Sequence, residues 1–241
     1  MKIRVLGIAS GLPELGLHHS AFYVETKDRN ILIDAGEGIS QQILKFKLDK
    51  NVIDEIYISH LHPDHFSGIF MLIQMLYLQK RTKDLYVYLP EEVEKVKEMF
   101  NTMYIFQEKL SYKIFFLKMR KNDNIIPIEN THLKTYRKFT AKVNHKNPLI
   151  SFSYIINEDK KKIIFTSDIA STEHLTNHIS QTGIIFIDAF HPKSKEIIRL
   201  SDSFEGDIFL THSLSEELKL ELIQNKRKNI FNANEKDEII F

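Results

Sequence analysis

The chain has 241 residues, 43% of them hydrophobic, and its 33 basic and 32 acidic side chains leave a net charge of +1. That length can bury a sizeable core in one domain spanning residues 1–241, and the charge balance removes any need for a long phosphate backbone as partner. Cysteine is absent, which excludes disulfides and thiolate ligands, so a metal would have to sit on His, Asp or Glu.

The N-terminal MKIRVLGIAS runs straight into a strand pattern, and no apolar run reaches the roughly 18 residues of a membrane span. A soluble, cytoplasmic protein without membrane contact is expected. Apolar, β-branched runs recur in chain order as KIRVLGI, NILIDAGEG, DEIYISH, DLYVYLP, KIIFTSD, GIIFIDA and DIFLTHS. Their near-continuous apolar character predicts strands covered on both faces. Helical spacing predicts helices over Gly38 to Lys47, His65 to Lys80, Glu91 to Asn101, Thr172 to Ser180 and Ser215 to Gln224. Four strand runs lead to Asp34, His60, Asp168 and His212, in both halves of the chain. The order predicts an α/β fold of two similar halves packed face to face. The basic clusters KMRK, KKK and KRK read as solvated loops and a helix end.

The segment ISHLHPDHFSG, residues 58–68, concentrates donors where a strand gives way to a helix. Side chains alternate in extended backbone, so His60 and His62 can face one centre. Pro63 favours entry into a helix, whose first turn then carries Asp64 and His65 toward a second centre. Imidazole and carboxylate suit zinc, manganese or iron, and zinc takes three or four such groups. One segment cannot complete two sites, and further donors stand at His145 in KVNHKNP, Asp168 in FTSDIA and His212 in FLTHSLS.

Asp34, then His60, His62, Asp64 and His65 as HxHxDH, then His145, Asp168 and His212 follow the ordered signature of the metallo-β-lactamase superfamily, which the chain resembles. The stretches GIASGLPELGLHHSAFYV, LIDAGEGISQQIL, ISHLHPDHFSGIFMLIQ and HKNPLISFSYII resemble the branch containing the transfer-RNA 3′-processing endonuclease, RNase Z, and related phosphodiesterases. The resemblance implies a four-layer αββα sandwich with a dinuclear metal centre. It implies that His60, His62 and His145 hold one divalent ion, that Asp64, His65 and His212 hold the other, and that Asp168 bridges them. Zinc is the first expectation and manganese the alternative, with Asp34 orienting the ligands. A hydroxide between the ions would attack a phosphodiester, with Asp64 accepting its proton.

Two departures from RNase Z bear on the substrate. The family's His-Glu-Ala-Thr motif corresponds here to FIDAFHP, so Ile187 takes the histidine's place, Asp188 the glutamate's, and His191 becomes the candidate acid for the leaving oxygen. The glycine-rich arm is missing too: no glycine occurs from Ile69 to Thr182. The aromatic stretch FNTMYIFQEKLSYKIFFLKMRKN is expected to cap a small substrate, to form a dimer contact, or to lie in the core. His174 and His178 share a helical face and read as exposed; His18 and His19 read as surface residues or rim contacts to substrate. No glycine-rich phosphate loop and no aromatic-interleaved basic stripe is found.

The expected activity is hydrolysis of a small or cyclic nucleotide phosphodiester by a homodimer, as in compact members of this branch that counter cyclic-nucleotide immune signalling. The alternatives are transfer-RNA 3′ processing with RNA as partner, lactone hydrolysis, and metal binding without catalysis.

Overall fold

In the computed structural model, residues 1–121, 125–131 and 150–241 are described. The chain divides into two compact units, Met1–Arg120 with Asn234–Phe241, and Lys121–Ala233.

The first unit is built on a seven-stranded sheet in the order β13-β1-β2-β3-β4-β5-β6. The strands are β1 (Lys2–Gly7), β2 (Ala21–Glu25), β3 (Asn30–Ile33), β4 (Glu55–Tyr57), β5 (Leu85–Leu89), β6 (Ile114–Lys118) and β13 (Glu238–Ile240). β1 pairs antiparallel with β13 and β2, β2 antiparallel with β3, and β3 through β6 run parallel. Each parallel step requires a crossover. These are α1 (Ile39–Lys45), α2 (Pro63–Phe66) with α3 (Gly68–Leu78), and α4 (Val93–Thr102). Ile56 and Val87 of the strands join Ile39, Ile43, Ile69, Leu72, Ile73 and Leu76 of the helices in one core.

The helix predicted over His65 to Lys80 is broken at Ser67 into α2 and α3. Ser67 keeps right-handed helical dihedrals, φ −62° and ψ −27°, and just beyond it the chain makes a close approach: a Cβ on Gly68 would lie 2.0 Å from the Gly36 carbonyl oxygen. Only glycine lets the start of α3 sit against the LIDAGEG turn. Arg81, buried after α3, donates to the carbonyls of Lys83, Lys50 and Ile53 at 2.6 Å and of Asp84 at 2.9 Å. It ties the end of α3 to the segment entering β4. The aromatic stretch that begins at Phe100 on α4 supplies Phe100 and Tyr112 to the core and β6 to the sheet edge, while Tyr104 stays exposed.

The second unit carries a six-stranded sheet in the order β12-β11-β10-β9-β8-β7. Its strands are β7 (Ile125–Thr131), β8 (Ile150–Glu158), β9 (Lys161–Phe165), β10 (Ile184–Asp188), β11 (Asp207–Thr211) and β12 (Ile230–Asn232). β7, β8 and β9 are antiparallel, and β9 through β12 are parallel. Each unit thus leads from antiparallel strands into a parallel run, matching the expected likeness of the halves. α5 (Ser194–Ser203) and α6 (Glu216–Gln224) pack Ile197, Leu200 and Leu218 against Ile185, Ile187, Ile208 and Leu210. The helix predicted over Thr172 to Ser180 is instead a short 3₁₀ turn at Glu173–Leu175. Glu196 fixes the start of this segment: its Oε2 accepts from Ser171 Oγ at 2.7 Å and from Thr172 N at 3.0 Å. Those bonds hold the start of the segment to α5.

Candidate metal centre

In the first unit, Asp34 follows the last residue of β3 and takes a left-handed conformation at φ 57°. A non-glycine residue there is held by its surroundings. The bonds are explicit. Asp34 Oδ1 accepts from Ser59 N at 2.8 Å, and Oδ2 accepts from Ser59 Oγ at 3.0 Å and from His65 Nδ1 at 2.7 Å. With Nδ1 carrying the proton, the neutral His65 ring has its lone pair on Nε2, the tautomer a metal ligand needs.

HxHxDH occupies the path from β4 into α2. His62 is the N-cap residue of α2 in extended backbone, Pro63 opens the helix, and Asp64 and His65 lie on its first turn. His60 and His65 have ring centroids 4.2 Å apart, and His60 and His62 4.8 Å apart. His65 Nε2 lies 3.5 Å from Asp64 Oδ2. Ala35 N donates to His65 O at 2.8 Å, which fastens the motif to the β3 end. His60, Asp64 and His65 are buried. Asp34, His60, His62, Asp64 and His65 are therefore gathered at one place in this unit.

In the second unit the donors stand at the ends of neighbouring parallel strands. β9 ends at Phe165 and is followed by Asp168, β10 ends on Asp188, and β11 is followed by His212. Ser167 and His212 have positive φ, 51° and 63°, so here too the chain leaves the sheet through strained residues. His212 Nδ1 lies 3.3 Å from Asp168 Oδ1. Asp188, Asp168 and His191 offer donor atoms within 4.8 Å of one another. Asp188 is committed elsewhere, however. Its Oδ1 accepts from Phe190 N at 2.9 Å and His191 N at 3.1 Å, and its Oδ2 accepts from Ile169 N at 3.0 Å and His191 Nδ1 at 2.8 Å. Asp188 thus anchors the turn that presents His191. Ile187, in the place of the RNase Z histidine, is buried in the apolar core. His145 lies outside the described residues.

Both donor sets are imidazole and carboxylate with no thiolate, and the His65 ring of the first is held by the Asp34 carboxylate on Nδ1. That chemistry fits zinc or manganese. His19 is buried and His18 half-buried, so neither stands open on the surface. The His19 side chain fits against Gly36, where a Cβ would come within 2.6 Å of the His19 Cβ, and His18 pairs with Glu235. Sequence spacing could not reveal Ser59, Gln42 or Glu235 in this neighbourhood, because each arrives from a different segment with no motif of its own.

The family model described as Anti-Pycsar protein Apyc1 matches residues 1–235. The chain belongs to that family. Ribonuclease Z of Methanococcus aeolicus is 29% identical over 161 residues, which cover 67% of this chain and 48% of that protein. The chain thus spans about half the length of the curated relatives it matches. Among solved structures, the short form of human tRNase Z superposes with a TM-score of 0.72 at 16% identity, covering 100% of this chain and 99% of that one. The metallo-beta-lactamase fold protein YhfI of Bacillus subtilis gives 0.71 at 16%, covering 99% and 98%. The fold of this Anti-Pycsar family member is accordingly the metallo-β-lactamase fold, and the chain sits in the RNase Z-like branch of that superfamily. Among the described residues no helix is long and apolar enough to cross a membrane.

Proposed function

We propose that this chain is a metal-dependent phosphodiesterase acting on a small or cyclic nucleotide. The observation that carries the reading is the pairing of His191 with Asp188 beside Asp168 and His212. A carboxylate on Nδ1 favours the imidazolium form of His191, which suits an acid that protonates a departing sugar oxygen.

On this reading two divalent cations, zinc first, would be held by His60, His62 and His145 and by Asp64, His65 and His212, with Asp168 shared. When bound, such a pair supplies a nucleophilic hydroxide near neutral pH, lowering the pKa of water from about 15.7 toward about 7, and offsets phosphate charge. Asp34 keeps His65 in its ligating tautomer, Asp64 takes up the proton of the attacking water, and His191 delivers one to the leaving group. Membership in the Anti-Pycsar family and the resemblance to compact branch members that degrade cyclic mononucleotides support a small substrate. A homodimer in the cytoplasm belongs to the same reading.

Transfer-RNA 3′ processing is the second reading, favoured by the ribonuclease Z relatives. Ile187 in the core and the glycine-free stretch from Ile69 to Thr182 weigh against it. Metal-quantified protein, assayed in parallel on bis(p-nitrophenyl) phosphate, a cyclic-nucleotide panel, a precursor transfer RNA and an acyl lactone, separates the readings. Turnover of a cyclic nucleotide, abolished in Asp64→Ala, is expected. Selective cutting of the precursor RNA would reverse the ranking, lactone turnover alone would remove the phosphodiesterase assignment, and inactivity of metal-loaded protein throughout would favour a binding protein.

A further inference from the structure

Three polar side chains from distant segments meet behind the loop between β1 and β2. Glu235 is buried, yet comes from the segment before β13, 217 residues from its partner His18. Its Oε1 accepts from His18 N, and its Oε2 accepts from His18 Nδ1 at 2.8 Å and from Gln42 Nε2 at 3.0 Å. Gln42 lies on α1 and is itself buried. The His18 ring sits over Gly38, where a Cβ would come within 2.4 Å of Cδ2. Ile8 N and Ala9 N both donate to His18 O at 2.9 Å. Glu235 thus grips His18 on the returning side of the loop, and His18 in turn accepts from Ile8 and Ala9 on the outgoing side.

The loop leads to the candidate centre. A Cβ on Gly11 would lie 3.6 Å from Asp64 Oδ2, so the backbone there runs alongside that carboxylate. Burying a carboxylate is unfavourable unless its oxygens are satisfied. Here both oxygens are, and what they hold is the loop against α1.

We propose that Glu235 is a positioning residue for the substrate: through His18 and Gln42 it fixes the β1–β2 loop beside Asp64, so that the loop forms a preset wall of the substrate site. The inference rests on the phosphodiesterase reading. A preset wall removes the cost of ordering a loop when substrate binds, so loss of the clamp should weaken binding and leave the chemical step in place.

Two measurements on the full metal-loaded chain test it, using Glu235→Gln and Glu235→Ala. Hydrogen exchange judges the clamp without reference to activity: the amides of Ile8, Ala9 and His18 should lose protection while those of β4 and α3 keep theirs. Steady-state kinetics judges the wall: KM for a cyclic nucleotide should rise about tenfold, with kcat and bound metal unchanged. Should Glu235→Ala fail to fold, Glu235→Asp, which keeps the charge but withdraws it from His18, carries the same comparison. Unaltered exchange overturns the clamp. Altered exchange with an unaltered KM, or a fall in kcat that tracks lost metal, overturns the wall. A parent that cleaves no phosphodiester would sink the reading beneath the wall, and the exchange data would still decide the clamp.

Discussion

His191 Nδ1 donates to Asp188 Oδ2 at 2.8 Å, while backbone amides of residues 169, 190 and 191 hold the other positions on that carboxylate. The ring can therefore turn little, and the charge on Asp188 stabilises it when protonated. Replacing His191 with Ala should lower kcat on a cyclic nucleotide by about 10²–10⁴. The loss on bis(p-nitrophenyl) phosphate should be far smaller, because p-nitrophenolate departs without a proton. Equal losses on the two substrates would show that His191 is not the acid.

Asp34 performs the corresponding task for His65, at 2.7 Å. In Asp34→Asn the amide can present its NH₂ to Nδ1, which draws the lone pair to that nitrogen and the proton to Nε2. Metal affinity should fall about 10–100-fold, read by chelator competition on folded protein. An unchanged affinity would mean that His65 needs no such partner.

Gly68 is expected to tolerate no side chain. Its missing Cβ would stand 2.0 Å from the Gly36 carbonyl oxygen, a backbone atom fixed by the turn after β3. Gly68→Ala should lower stability by about 1–3 kcal/mol or more, seen as a lower urea midpoint. Metal affinity should drop with it, since the same turn bears on His65 through Ala35.

His174 is half-buried, with Nδ1 donating to Ser171 O at 2.9 Å and Nε2 beside Ser153 Oγ at 3.2 Å. Burial pushes its pKa below the ordinary 6.5, and His178 adds in the same direction. The folded chain therefore binds this proton more weakly than the unfolded chain. The contribution is complete above about pH 6.5 and diminishes as the pH falls below it. Denaturant midpoints across this window should decline more in the parent than in His174→Gln; parallel profiles would remove His174 as a cause.

Arg81 gives four hydrogen bonds to carbonyl groups in a buried site. Arg81→Met fills much of the space but leaves those acceptors without their donor. A loss of about 3 kcal/mol or more is expected by chemical denaturation. Kinetic constants of the protein that remains folded should be unaffected, because Arg81 touches none of the candidate ligands.

HxHxDH, its Pro63 and the strand before it could be read directly, because a turn of chain holds those residues close whatever the rest does. The alternating pattern of strands and helices was equally local, and it gave the α/β class and the likeness of the halves. The seating of α3 was not legible: it depends on Gly36, a residue distant in sequence, pressing against Gly68. Nor was the 3₁₀ turn at Glu173–Leu175, where helical spacing was present but a continuous helix does not form. Asp188 and Glu235 show the same limit at the site. Glu235 becomes an anchor only through His18 and Gln42, which tertiary packing sets around it from far along the chain. Asp188 likewise takes Ile169 N from a distant segment, beside its local donors at residues 190 and 191.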